Sequence, residues 1–319
     1  MANNPSWLPA IVMIVAVIVI AAGLSGYLYL THGPATNPSV PTVQPGDNVT
    51  VNYIGIMASG PDQGKVFDTS YYSVASNNAS FPKTLTFQMR ASAKNYTPLP
   101  VHVAGDTPQS GYSLGNLTFI GVVTGFWQGL IGMTANSTRT LILPPDLAYG
   151  ADRASCIATE PLTYTLPVTE SMSVNAFSAR FPGQTATQGI EFPDPHYGWP
   201  VLVLNANASF ATVENLATVG WTSSPAGWPV EVTGLTSTAN GTGQITLTNE
   251  LTAAQAGHVL GHAITGSGLC NPPSNGRFIV TAVNVANGTY TENYNTEVTG
   301  ETLTFVVTIT GIFKPSTSG

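Results

Sequence analysis

The sequence predicts an α+β protein with a second, mostly β domain set into it and one N-terminal transmembrane helix. Three observations carry this. Residues 8–30 form an apolar run without a single charge, about the length that crosses the hydrocarbon core of a bilayer. Residues 46–151 and 300–315 read as short alternating strands around one segment of helical period. Residues 152–299, between them, differ in character and carry an internal repeat.

The apolar run is LPAIVMIVAVIVIAAGLSGYLYL, bracketed by Trp7 and by Tyr27 and Tyr29 as interfacial aromatics often are. A cleaved signal peptide would have a basic start and a shorter apolar core. The leading MANNPSW has neither Lys nor Arg, so residues 1–31 are expected to be an uncleaved anchor. The first basic residue is Lys65, which leaves the positive-inside rule little to act on. Asn-x-Ser/Thr triplets at Asn48, Asn78, Asn95, Asn116, Asn136, Asn207, Asn240 and Asn287 favour a single-pass protein of the cell membrane with its bulk outside the cytoplasm. Residues 32–45, rich in Pro and polar side chains, read as an extended stalk.

Composition excludes some functions. Of 319 residues only 8% are charged and 43% are hydrophobic, with a net charge of -7 and nine Lys plus Arg. A nucleic-acid partner is not expected, because it needs a basic face. The two cysteines, Cys156 and Cys270, belong to no CxxC pair; one disulfide and two buried thiols are both compatible with them. His258 and His262 have the i,i+4 spacing of a helical metal pair but lack the Glu of HExxH and a third ligand. No metal or cofactor is expected.

Along the first domain, residues 48–56 (NVTVNYIGI) alternate as a strand after a Pro-Gly-Asp turn. Residues 85–89 and 117–123 read as short strands, and 90–116 as a long loop or added hairpin. Residues 125–133 (GFWQGLIGM) place Phe126, Leu130 and Met133 on one helical face. Residues 138–143 form a strand ended by Pro144-Pro145, and 302–312 (TLTFVVTITGI) the closing one. In the insert, GWPVLV (198–203), GWPVEV (227–232) and GRFIVTAV (276–283) each open a hairpin-like unit, followed by Asn215, Asn249 and Asn295 respectively. Trp199 and Trp228 read first as packing residues and second as binding residues.

The pieces flanking the insert resemble the FKBP family of peptidyl-prolyl cis/trans isomerases. They are Gly46–Gly55 (GDNVTVNYIG), GKVFDTS (64–70), VVTGF (122–126), GLIGM (129–133), LPPDLAYG (143–150) and TLTF (302–305), in the family's order. The resemblance implies an antiparallel half-barrel around one short helix, with an aromatic pocket between sheet and helix. It places Phe126 at the pocket floor and Tyr53, Phe67 and Phe305 in the walls. Val122 and Val123 line one side, the Val123 N–H binds a substrate carbonyl, and Asp68 and Tyr149 form the polar rim. Leu85 falls where many members have Phe, so it is expected to touch substrate. An insert after the AYG signature is similar to that of the SlyD-like branch, whose insert-in-flap domain is a chaperone module. The implied partners are proline-containing unfolded or partly folded polypeptides, beside the lipid bilayer at residues 8–30. A non-catalytic surface binding protein on the same scaffold is the competing expectation.

Overall fold

The computed structural model describes residues 40–103, 112–114, 117–236, 243–264, 270 and 276–314. The apolar run 8–30, most of the stalk, and the triplets at Asn116 and Asn240 lie outside the described residues. Among the described residues no helix is long and apolar enough to cross a membrane. The chain divides into two compact units, Met1–Asp152 with Glu297–Gly319, and Arg153–Thr296. The second stretch of the first unit begins at Glu297, whose Oε1 accepts from the Thr86 N–H at 3.3 Å.

The first unit is built on β1 (Asn48–Met57), whose alternate residues Val49, Val51, Tyr53 and Met57 are buried. One edge of β1 pairs in succession with β3 (Leu99–His102) and β2 (Val66–Thr69). The other edge pairs with β19 (Leu303–Phe313), and β19 pairs in turn with β6 (Thr138–Leu143). All these pairings are antiparallel. A separate ribbon joins β4 (Tyr112–Leu114) to β5 (Leu117–Phe119). Helix Thr124–Leu130 lies close to β6, and two glycines permit it. A Cβ at Gly129 would stand 2.5 Å from the Leu141 side chain, and one at Gly125 would stand 2.7 Å from that of Leu143. Phe126, Leu130 and Met133 are buried against Leu141, Leu143, Leu303, Phe305 and Val307.

Three expectations for this unit are corrected and one is extended. Residues 85–89 are a turn and irregular chain rather than a strand. The Leu85 N–H is drawn instead to Asp62 Oδ2 at 3.2 Å. The strand expected over 117–123 ends at Phe119, since the chain turns into the helix at Val123. Residues 90–116, expected as a loop or added hairpin, supply β4 of the separate ribbon and in addition β3 of the main sheet. Asn48 is buried with Oδ1 2.8 Å from His102 Nδ1, so this triplet offers no accessible site for a sugar.

The second unit holds three four-stranded sheets around one core. Each sheet contains a hairpin: β11 (Pro200–Ala206) with β12 (Phe210–Asn215), β14 (Val230–Thr236) with β15 (Gln244–Asn249), and β17 (Arg277–Asn284) with β18 (Thr289–Asn293). A short strand closes one edge of each: β10 (Glu191–Pro193), β13 (Thr222–Ser223) and β16 (Leu260–His262). The other edges are closed by consecutive strands β7 (Ile157–Pro161), β8 (Thr163–Pro167) and β9 (Thr169–Ser173), which pair with β18, β15 and β12. One ribbon therefore threads the three repeats in reverse order, and no hairpin stands alone.

Backbone bonds fix the equivalences between repeats. Gly189, Gly220 and Gly257, all at positive φ, donate to the carbonyls of Val203, Val232 and Val280 at 2.8, 2.8 and 2.7 Å. Asn215, Asn249 and Tyr294 donate to the carbonyls of Val168, Leu162 and Cys156, each at 2.8 Å. The third member of the Asn series is thus Tyr294 rather than Asn295. In the first two repeats a buried indole donates to that Asn: Trp199 Nε1 to Asn215 Oδ1 at 3.2 Å, and Trp228 Nε1 to Asn249 Oδ1 at 2.8 Å. The third repeat lacks both Trp and Asn, as expected if neither buried polar group is tolerated without the other. Cys156 and Cys270 form a disulfide with Cα atoms 4.8 Å apart. His262 lies on β16 and His258 in a turn, so their spacing is not helical. Among the described residues no cluster of His, Cys, Asp or Glu has the makings of a metal site.

Candidate functional site

A pocket of about 330 Å³ opens in the first unit, lined by Tyr53, Phe67, Asp68, Leu99, Ile120, Gly121, Val122, Val123, Phe126, Tyr149 and Phe305. The pleat of the sheet explains much of it. Tyr53 on β1 and Phe305 on β19 project from the same concave face. Phe67 on β2 lies over Gly55, where a Cβ would meet the ring at 2.6 Å. Helix Thr124–Leu130 supplies Phe126 from below.

The rings meet edge to face, the arrangement favoured by aromatic quadrupoles. Phe126 and Phe305 have centroids 5.0 Å apart, Phe67 and Phe305 5.4 Å, and Tyr53 and Phe126 6.3 Å. Phe126 and Phe305 are buried. The result is an apolar cup whose walls come from stretches far apart in sequence.

The rim is polar. The Tyr53 hydroxyl donates to Asp68 Oδ2. Arg90 donates to the Tyr53 hydroxyl at 3.2 Å and reaches Asp68 Oδ1 at 3.4 Å. Arg90 is itself held over the Tyr96 ring at 5.0 Å. Burial pushes the Tyr53 phenol well above its ordinary value; the Asp68 charge and hydrogen bond add to this, and Arg90 opposes it. Burial and Asp68 likewise raise Tyr149. Both phenols therefore keep their protons across the physiological range. Val123, which precedes the helix, has φ -55 and ψ 148. Among the described residues its N–H donates to no acceptor, which leaves it free for a ligand carbonyl.

All eight residues expected to carry catalysis line this pocket: Tyr53, Phe67, Asp68, Val122, Val123, Phe126, Tyr149 and Phe305. The three expected to bind substrate do not. Leu85 is outside the lining because its segment is pinned to Asp62. Trp199 and Trp228 are 0% and 2% exposed in the core of the second unit, out of reach of any client. Leu99, Ile120 and Arg90 were not anticipated. The alternation of LPVHV (99–103) was the available signal for Leu99; nothing in the pattern pointed to Arg90.

Residues 111–168 match the family model for FKBP-type peptidyl-prolyl cis-trans isomerase. The matched stretch includes Val122, Val123, Phe126 and Tyr149 of the pocket lining. Tyr53, Phe67, Asp68 and Phe305 lie outside it, and geometry alone unites them with the matched part. The insertion separates Tyr149 from Phe305 in the chain, so a match running from 111 ends before the closing strand. Comparison with curated proteins finds no match.

Proposed function

We propose that the first unit is a peptidyl-prolyl cis/trans isomerase acting on proline-containing polypeptides. The observation that carries this is the aromatic cup itself, assembled from β1, β2, β19 and the helix and large enough for a prolyl ring.

Rotation about an X–Pro bond faces a barrier of about 18–20 kcal/mol, set by amide resonance. Neither a nucleophile nor a metal is needed to lower it. The enzyme must only favour the twisted amide over the planar one. The planar amide is the more dipolar, so a cup walled by Phe67, Phe126 and Phe305 removes water that stabilises the ground state. The free Val123 N–H and the protonated Tyr149 hydroxyl are donors placed for carbonyl oxygens as the bond turns. Asp68 is oriented by Tyr53 and Arg90, which gives the rim a fixed negative edge.

The test is an NMR or protease-coupled isomerisation assay on a short proline peptide, using the intact protein and the Asp68→Ala/Phe126→Ala variant. Acceleration by the first and its loss in the folded second is expected. An intact protein without acceleration would return the site to the non-catalytic binding reading.

Three further readings belong to this proposal. The second unit acts as a client-binding module of the insert-in-flap kind; Ile190, Phe210, Val219, Leu235 and Val285, each more than two-fifths exposed, are among the apolar side chains available for it. Residues 8–30 anchor the protein in the lipid bilayer. The catalytic unit faces outside the cytoplasm, in keeping with the disulfide and the exposed triplets at Asn78, Asn95, Asn136, Asn207 and Asn287. Protease treatment of intact cells checks the orientation: cleavage without lysis is expected, and protection until lysis would reverse it.

A further inference from the structure

The second unit contains a pocket of about 370 Å³ whose walls include Glu160, Tyr164, His262, Tyr290, Glu292 and Tyr294. Unlike Glu170 and Asp194 of the same unit, which pair with Arg180, its carboxylates have no ion pair among the described residues, and the repeat shows why this is informative. Register makes Glu160, Tyr290 and Glu292 of the third sheet equivalent to Leu166, Ile245 and Leu247 of the second and to Met172, Ala211 and Val213 of the first. Two repeats fill these positions with apolar side chains. The third places two carboxylates and a phenol there.

The substitution is costly if it serves only folding. Glu292 is only 9% exposed, and burying an uncompensated charge costs several kcal/mol. Its oxygens accept from the Tyr290 hydroxyl at 3.0 Å and the Tyr294 hydroxyl at 2.7 Å. These bonds hold the carboxylate in place but do not neutralise it. No ion pair among the described residues involves Glu292 or Glu160. Burial raises the Glu292 carboxyl above its ordinary value of 4.5; the tyrosine bonds oppose this and Glu160 adds to it. The cavity thus offers acceptors and negative charge, walled by three phenol rings.

We propose that this pocket binds an alkyl guanidinium group. A guanidinium is planar and permanently charged. It presents five donors that suit paired carboxylate oxygens, and it stacks on aromatic faces. The volume holds such a head and a short aliphatic stem. The inference stands independently of isomerase activity, because every wall residue belongs to the second unit.

Isothermal titration of the full protein with n-butylguanidinium, n-butylammonium and the neutral n-butylurea tests it. Saturable binding of n-butylguanidinium is expected, with n-butylurea at least about tenfold weaker, the loss of roughly one charge-assisted contact. Glu160→Gln and Glu292→Gln should each weaken n-butylguanidinium by about tenfold or more. Glu191→Gln, exposed on β10, should leave it unchanged. Circular dichroism checks that Glu292→Gln is folded, and the half-buried Glu160 supplies a second variant should it fail. A blocked Gly-Gly-Arg-Gly-Gly peptide distinguishes the source. Binding comparable to n-butylguanidinium assigns an arginine of a polypeptide; binding of n-butylguanidinium alone assigns a small guanidino compound. Equal binding of the urea, tighter binding of the ammonium, or indifference to Glu160→Gln would overturn the assignment.

Discussion

Tyr53 joins two roles in one side chain: its ring walls the cup, and its hydroxyl aims Asp68. Tyr53→Phe separates them. The ring stays and the charge-assisted bond goes, at a cost of about 1.5–3 kcal/mol, readable by urea unfolding. Peptide turnover should fall while the pocket keeps its shape. Glu292 makes a prediction of opposite kind. Its folded pKa is raised by burial, so its contribution is most favourable below the ordinary glutamate value. That contribution is lost as pH rises through the folded pKa. Glu292→Gln should therefore gain stability on wild type as pH climbs from about 4.5, and the gap should close in acid. A pH series of melting curves on the two proteins reads it, and a gap that widened in acid would refute the burial argument.

At the scale of elements, glycine and tryptophan mark where strands and helix must meet closely. Gly129→Ala sets a methyl 2.5 Å from the Leu141 side chain and should cost about 1–3 kcal/mol through repacking. Trp228→Phe leaves the Asn249 carbonyl without its 2.8 Å donor and should cost about 1–3 kcal/mol beyond the lost ring area. Calorimetry on each variant checks both. Much of this level was legible. Period-two alternation announced β1 and β19, and the helical spacing of Phe126, Leu130 and Met133 announced the helix. Two features were not. Phe278, the equivalent of Val201 and Val230 in the core, stands two positions after Gly276, where those valines stand three after Gly198 and Gly227, so matching glycines misaligned the third repeat by one. Residues 85–89 look like a strand because they are apolar, yet a buried carboxylate, Asp62, captures their backbone.

For the whole molecule, the relevant fact is a chain interrupted between Tyr149 and Phe305 and still able to complete one cup. Ordered motifs on both sides of the insert made this legible, since Phe305 had a place in the pattern before its contacts were known. Leu99 had only the alternation of LPVHV to announce it, because its contribution depends on β3 joining β1, a long-range pairing; Arg90, set by its contacts with Tyr53 and Asp68, had no local signature. The disulfide closes a loop of 114 residues in the second unit. By loop-closure entropy its removal should destabilise that unit by about 4–5 kcal/mol. Cys156→Ser/Cys270→Ser should lower the melting of the second unit and leave short-peptide turnover intact; a parallel loss of turnover would tie the two units together more tightly than their separate cores imply.

The most direct measurement concerns the free N–H at the mouth of the helix. Val123 already has a φ that proline adopts, so Val123→Pro deletes that donor with little change of backbone. Exchange NMR on a proline peptide should show fast interconversion with wild type and a rate about tenfold lower with the variant, the worth of one hydrogen bond made in the transition state. Wild-type protein that leaves the exchange rate at its uncatalysed value, or a variant as fast as wild type, would contradict isomerisation in this cup.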